Sequence, residues 1–167
     1  MCTSGATSRA CVAPDIFLVR GASKREDNPR RIYKLWEEGG RMPSLVIQLT
    51  SESTRDEDIG KKKLYERLGV EELFLFDPLG DYLRPRLQGY RLEDGRYQPL
   101  PLKMDGSLES RTTGLILKPE GSRLRLQDKE TGEILLYAQE EAKARLAAEE
   151  RVRLLETELK RLRERPE

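Results

Sequence analysis

Three segments of the chain carry enough apolar residues in a row to be buried strands. "VAPDIFLVRG" (12–21) is bounded by Pro14 near its start and Gly21 at its end, the punctuation of a strand. "PSLVIQLT" (43–50) is nearly continuous in apolar character, as for a strand covered on both faces. "EELFLFDP" (71–78) is a third, stopped by Pro78. Between the last two, "STRDEDIGKKKLYERLGV" (53–70) predicts a helix. Ser53 or Thr54 can cap it, Asp56, Glu57 and Asp58 lie near the positive end of its dipole, and Gly69 ends it. Gly60 works against this helix, since an interior glycine costs ~1 kcal/mol relative to alanine. Strand, helix and strand in that order form a βαβ unit, which requires a partly parallel sheet.

The flanking texture is different. "ASKREDNPRR" (22–31) is a polar loop and "IYKLWEEGG" (32–40) a short helical or extended piece closed by two glycines. From Gly80 to Tyr137 short alternating segments are separated by turn signals. Hairpins are expected around Asp94-Gly95 in "YRLEDGRYQPLP" and around Thr131-Gly132 in "SRLRLQDKETGEILLY". From Ala138 the chain reads as one long charged helix. Ala148, Val152, Leu155, Leu159 and Leu162 recur at steps of 4, 3, 4 and 3, a short heptad seam. Two readings stand side by side: a solvated helix packing one stripe on its own domain, or a dimer-forming tail. The expected organisation is a disordered stretch over 1–11, an α/β domain over 12–137 and a charged helical, coiled-coil-like tail over 138–167.

Composition narrows the chemistry. The chain has 167 residues with 37% charged, and 31 basic against 30 acidic side chains leave a net charge of +1. There is no overall basic signature for nucleic acid, although a local patch remains open. Histidine is absent, which removes His-based triads, proton shuttles and His metal ligands. The two cysteines, Cys2 and Cys11, cannot make a four-ligand zinc site alone. No apolar run approaches the ~20 residues that span a bilayer. The N-terminal residues also lack the apolar region of a secretory signal. A soluble, cytoplasmic protein is expected, with no membrane partner.

Three polar features converge on the predicted βαβ core. Asp15 follows Pro14 at the start of one strand, Gln48 lies inside the next, and Lys61, Lys62 and Lys63 sit on the helix after it. Alternation puts Val46, Gln48 and Thr50 on one face and Leu45, Ile47 and Leu49 on the other. A carboxylate at a strand end is costly unless paired, hydrogen-bonded or metal-bound. Taken singly, each feature has a plainer explanation. A "PD" dipeptide is usually a turn, a strand glutamine is usually a hydrogen-bonded bystander, and at least one lysine of a triplet must face solvent.

The order of the segments carries more than any one of them. "VAPDIFLVRG", "RRIYKLWEEG", "SLVIQLTSESTRDED", "KLYERLGVEELFLFDPLGDYLRPRLQGYRLEDGRYQPLP" and the charged tail together resemble the Uma-two family of putative restriction endonucleases. That family is a branch of the PD-(D/E)XK nuclease superfamily. The resemblance implies an α/β, restriction-endonuclease-like mixed sheet with flanking helices, an antiparallel β extension and a long C-terminal helix.

It also implies a Mg²⁺-dependent phosphodiesterase acting on DNA. Asp15 stands where the family's metal-binding aspartate lies. Gln48 stands where a metal-binding glutamate is usual. The catalytic lysine falls within Lys61–Lys63: the spacing to Tyr65 selects Lys61, and the spacing from Ser53-Thr54 selects Lys62. Paired carboxylates suit a hard cation, and a lysine can stabilise the attacking water and developing charge. Lys24, Arg25, Arg30 and Arg31 are candidates for phosphate contacts.

Two departures bear on activity. An amide at position 48 can ligate a cation but brings no charge, and Glu52 could replace it only if the strand ended early. Family members also carry further helices and strands before the "PD" strand, so the chain reads as N-terminally truncated, with a sheet edge or face exposed. An inactive nuclease-fold relative that binds DNA or protein, or a degenerate fragment, is therefore the alternative. A homodimer, through the C-terminal helix or the uncovered sheet, is the expected self-association.

Overall fold

The computed structural model describes residues 2–5, 8–22 and 32–163. The chain divides into two compact units, Met1–Glu133 and Ile134–Glu167. In the first, strands β1 (Cys2–Gly5) and β2 (Ser8–Cys11) pair antiparallel with Cys2 opposite Cys11. The sequence reading expects disorder over 1–11. Backbone pairing in a short hairpin does not need apolar side chains, which is why composition alone misses it.

The main sheet has five strands in the order β3-β4-β5-β6-β7. These are β3 (Ile16–Leu18), β4 (Leu45–Leu49), β5 (Glu72–Phe76), β6 (Leu87–Glu93) and β7 (Arg96–Pro99). Only β4 and β5 run parallel, and helix α1 (Arg55–Leu68) makes the crossover between them. The expected βαβ unit is therefore present. Gly69 closes α1 at φ 79°, a left-handed conformation that glycine adopts without steric cost. Gly60 is tolerated because it lies on the exposed side of the helix. The β6–β7 hairpin turns at Asp94 and Gly95, both at positive φ, the type I′ pattern that matches strand twist.

Side-chain alternation sorts the core into two layers. Val46, Leu73 and Leu75 face α1, where Tyr65 and Val70 complete one cluster with Tyr97 and Leu35. Leu45, Ile47, Phe74 and Phe76 face the opposite way and pack with Leu87, Leu108 and Leu117. The last two come from a three-stranded antiparallel sheet of β8 (Leu108–Glu109), β9 (Leu115–Glu120) and β10 (Arg123–Asp128). A five-stranded mixed sheet, covered by a helix on one face and a β extension on the other, is the expected restriction-endonuclease-like architecture.

The turn expected at Thr131-Gly132 is closed by the Gly132 N–H donating to the Asp128 carbonyl (3.0 Å) and the Asp128 N–H to the Glu133 carbonyl (2.8 Å). A further hairpin pairs β9 with β10 around Gly121, with Leu117 opposite Leu126. Pro119 is accommodated in β9 because the two-residue β8 pairs only with Leu117 and Ile116, leaving that side of Pro119 without a ladder to join. "IYKLWEEGG" contains a single 3₁₀ turn at Leu35–Glu37.

Two buried acids fasten the layers. Glu72, at the first position of β5, accepts hydrogen bonds from Arg91 Nη2 (2.9 Å), Ser110 Oγ (2.6 Å), Thr112 Oγ1 (2.8 Å) and the Arg111 backbone N–H (3.0 Å). Burial opposes its ionisation, but these donors outweigh that and hold its pKa below the ordinary carboxylate value. Asp77, just past β5, accepts from the backbone N–H groups of Gly80, Tyr82 and Leu83 and so shapes the loop that follows.

The second unit contains α2 (Ala138–Arg163). Val152, Leu155 and Leu159 of the heptad seam are exposed along it.

Candidate active site

The β3–β4 register decides what Asp15 meets. Ile16 pairs with Ile47 in the antiparallel ladder, so the residue before β3 falls opposite Gln48. The Gln48 side-chain amide donates to Asp15 Oδ2, and the Leu49 backbone N–H donates to the same oxygen at 2.8 Å. Asp15 is exposed, whereas Gln48 is only 4% exposed, on the α1-facing side of β4 between Val46 and Thr50. The Gln48 Oε1 has no hydrogen-bond partner.

Helix α1 turns back over β4, and its inner face supplies the rest of the site. Tyr65 is fully buried in the cluster that contains Val46. Lys61 is one helical turn before it and Asp58 nearly two, so all three share a face. Burial raises the Tyr65 hydroxyl pKa, and the negative charges of Asp15, Asp58 and Glu57 add to that. The hydroxyl therefore lies within electrostatic reach of both the strand-end aspartate and the helix aspartate.

Asp58 is 2% exposed. Its Oδ2 accepts from Thr54 Oγ1 at 2.8 Å and from the Tyr82 hydroxyl at 3.3 Å. Tyr82 in turn accepts from Thr50 Oγ1, which joins the end of β4 to α1. Burial, the largest cause, and the nearby Asp58 charge raise the Tyr82 hydroxyl pKa, against the opposing bond from Thr50.

The three lysines separate cleanly. The Lys61 side chain is 17% exposed, and its Nζ pairs with Glu57 at 2.8 Å. Lys62 Nζ lies 3.3 Å from the ring centroid of Tyr90, on β6 and so two strands away from β4. Lys63 is exposed. Glu52 does not stand in for residue 48. It follows the end of β4, is exposed in a 3₁₀ turn and faces Arg55 at 3.7 Å. Lys24, Arg25, Arg30 and Arg31 lie outside the described residues.

Residues 2–120 match the family model Uma2, described as putative restriction endonuclease. The chain belongs to the Uma2 family. No curated protein matches it. Placement of the Uma2 family among PD-(D/E)XK nucleases is consistent with the sheet, the crossover helix and the strand-end aspartate. The matched span holds Asp15, Gln48 and α1, so the site lies wholly within the Uma2 region.

As a cation site, this Uma2 arrangement is all oxygen. It offers an exposed carboxylate and an unpaired amide oxygen, donors suited to a hard divalent ion. Among the described residues no cluster of three Asp, Glu, His or Cys side chains adds to it. The donor types fit a hard cation. Asp15 is the one charged donor of this pair, since the amide at position 48 brings none. Asp58 escapes a reading built on "PD" and strand position, although its spacing of seven residues before Tyr65 already places it on the buried helix face.

Proposed function

We propose that the chain acts on DNA as a divalent-metal-dependent endonuclease, cleaving phosphodiester bonds, with activity reduced by the amide at position 48. The meeting of Asp15 and Gln48 across the β3–β4 pair is the observation that carries this reading. A bound Mg²⁺ would supply charge neutralisation at the phosphate and an activated water. The chain's own part is to hold that ion through Asp15 and Gln48 and to present a cation. Lys61 is the better candidate for the cation, because it shares the Tyr65 face while Lys62 is engaged on Tyr90. DNA as substrate follows from the family, and Lys24, Arg25, Arg30 and Arg31 are the proposed phosphate contacts. Self-association is assigned to the exposed seam of α2.

A second reading has its own observation. The Gln48 amide N–H already satisfies Asp15, so the pair is stable without metal, as in an inactive relative that binds DNA or protein. Plasmid nicking with Mg²⁺ or Mn²⁺ separates the two. Activity that rises in Gln48→Glu and disappears in Asp15→Ala supports the nuclease. Cleavage indifferent to Asp15→Ala would overturn the site, and no cleavage by either the native chain or Gln48→Glu would favour the binding module.

A further inference from the structure

We infer that Asp58 supplies the carboxylate missing at position 48, so that a divalent cation is shared by Asp15, Gln48 Oε1 and Asp58 Oδ1 between β4 and α1. This rests on the metal-dependent reading above and names a ligand that lies outside the strand positions.

Among the described residues three acids are buried, and they differ in one respect. Glu72 and Asp77 have both carboxylate oxygens occupied by donors. Asp58 is as deeply buried, yet its Oδ1 has no partner. Among the described residues it also lacks an ion pair, and Lys61, the nearest lysine on its face, is held by Glu57. The first turn of α1 offsets part of its charge, and Oδ1 is left open to a cation or another donor.

The position of Asp58 points to the first. Gln48 Oε1, Asp58 Oδ1 and the Tyr65 hydroxyl are all buried without partners, and all belong to the layer between β4 and α1. The Thr50–Tyr82–Asp58 chain of hydrogen bonds ties Asp58 to the end of β4, at a residue on the same strand face as Gln48. The Tyr65 hydroxyl feels both Asp15 and Asp58. The layer thus holds two unpaired acceptors and one unpaired hydroxyl. One buried water could satisfy the hydrogen bonds of this layer, but it would bring no positive charge to Asp58 beyond that of the helix end. An oxygen-coordinating divalent ion satisfies both requirements, and Asp15 at the exposed rim gives it a route in.

The test is Mn²⁺ binding by the full chain, followed by electron paramagnetic resonance, with metal-free thermal melting to verify folding. Asp58→Asn keeps an oxygen for Thr54 and Tyr82 but removes the charge, and should weaken Mn²⁺ binding about tenfold or more. Glu93→Gln, an exposed acid at the far end of β6, should leave it unchanged. The double variant Gln48→Glu/Asp58→Asn should regain affinity, because it restores the carboxylate at the strand position. If Asp58→Asn does not fold, Asp58→Ser takes its place. Native affinity in Asp58→Asn alongside loss in Asp15→Asn would overturn the Asp58 role while leaving the Asp15 site standing. Failure of both the native chain and Gln48→Glu to bind Mn²⁺ would overturn the two together.

Discussion

Gln48 donates its side-chain amide to Asp15 across the β3–β4 pair, where a glutamate would instead set two carboxylates against each other. The amide at 48 thus stabilises the sheet edge while bringing no charge to a cation. Gln48→Glu should reverse both effects. Without metal the two carboxylates repel and the donor is lost, at a cost of about 1–3 kcal/mol. Added Mg²⁺ should recover that loss, and the melting temperature of the variant should rise with Mg²⁺ more steeply than that of the native chain. A variant that melts like the native chain in both conditions would show that the two side chains do not interact.

Lys61 and Lys62 are adjacent in sequence but face different strands. In the Gln48→Glu background, Lys61→Met should reduce plasmid nicking about 10²-fold or more, the scale of removing one charge-stabilising group. Lys62→Met should leave nicking within a few-fold and instead cost about 0.5–1 kcal/mol of stability, through its contact with Tyr90. The reverse outcome would reassign the lysine.

The buried acids give the fold a defined acid limit. The pKa of Asp77 is held down to about 2 from an ordinary 3.8, because the backbone N–H groups of Tyr82, Leu83, Asp81 and Gly80 outweigh burial. A folded-state pKa below the unfolded one stabilises fully above the unfolded value, and that contribution is lost as pH falls through the folded one. Glu72 shifts in the same direction. Urea unfolding should therefore show stability declining as pH drops from about 4 toward about 2. Glu72→Gln should lose about 3–5 kcal/mol at neutral pH, since Arg91 is left without its buried partner. The variant's acid decline should also be shallower than the native one.

What the sequence makes legible is local. Apolar runs and turn residues locate β3, β4, β5 and α1, and strand register alone brings Asp15 to Gln48. The supports of the site are set by long-range contacts instead. Glu72 meets Ser110 across 38 residues, and Tyr82 meets Asp58 across 24. Neither pairing has a periodicity to announce it. Asp58 is a partial exception: among three consecutive acids at a helix start it looks like dipole compensation, and only the phase of Tyr65 singles it out.

The seam of α2 carries the last prediction. Val152 and Leu159 occupy one heptad position and Leu155 the other, the β-branched and leucine pattern compatible with two parallel strands, although Leu159 departs from it. All three are exposed. In a parallel pair, Arg151 on one helix would flank Glu156 on the other, an attractive contact at the rim of the seam. The full chain should therefore sediment as a dimer in a concentration-dependent way. Leu155→Asp should shift it to the monomer, because a charge would be buried at the centre of the seam. Arg151→Glu should weaken association by roughly 0.2–1 kcal/mol, and adding Glu156→Arg should restore it. A native chain that sediments as a monomer at every concentration would leave α2 as a solvated helix. A dimer insensitive to Leu155→Asp would move the contact to the exposed edge strand β3, where Ile16, Phe17 and Leu18 are open to solvent.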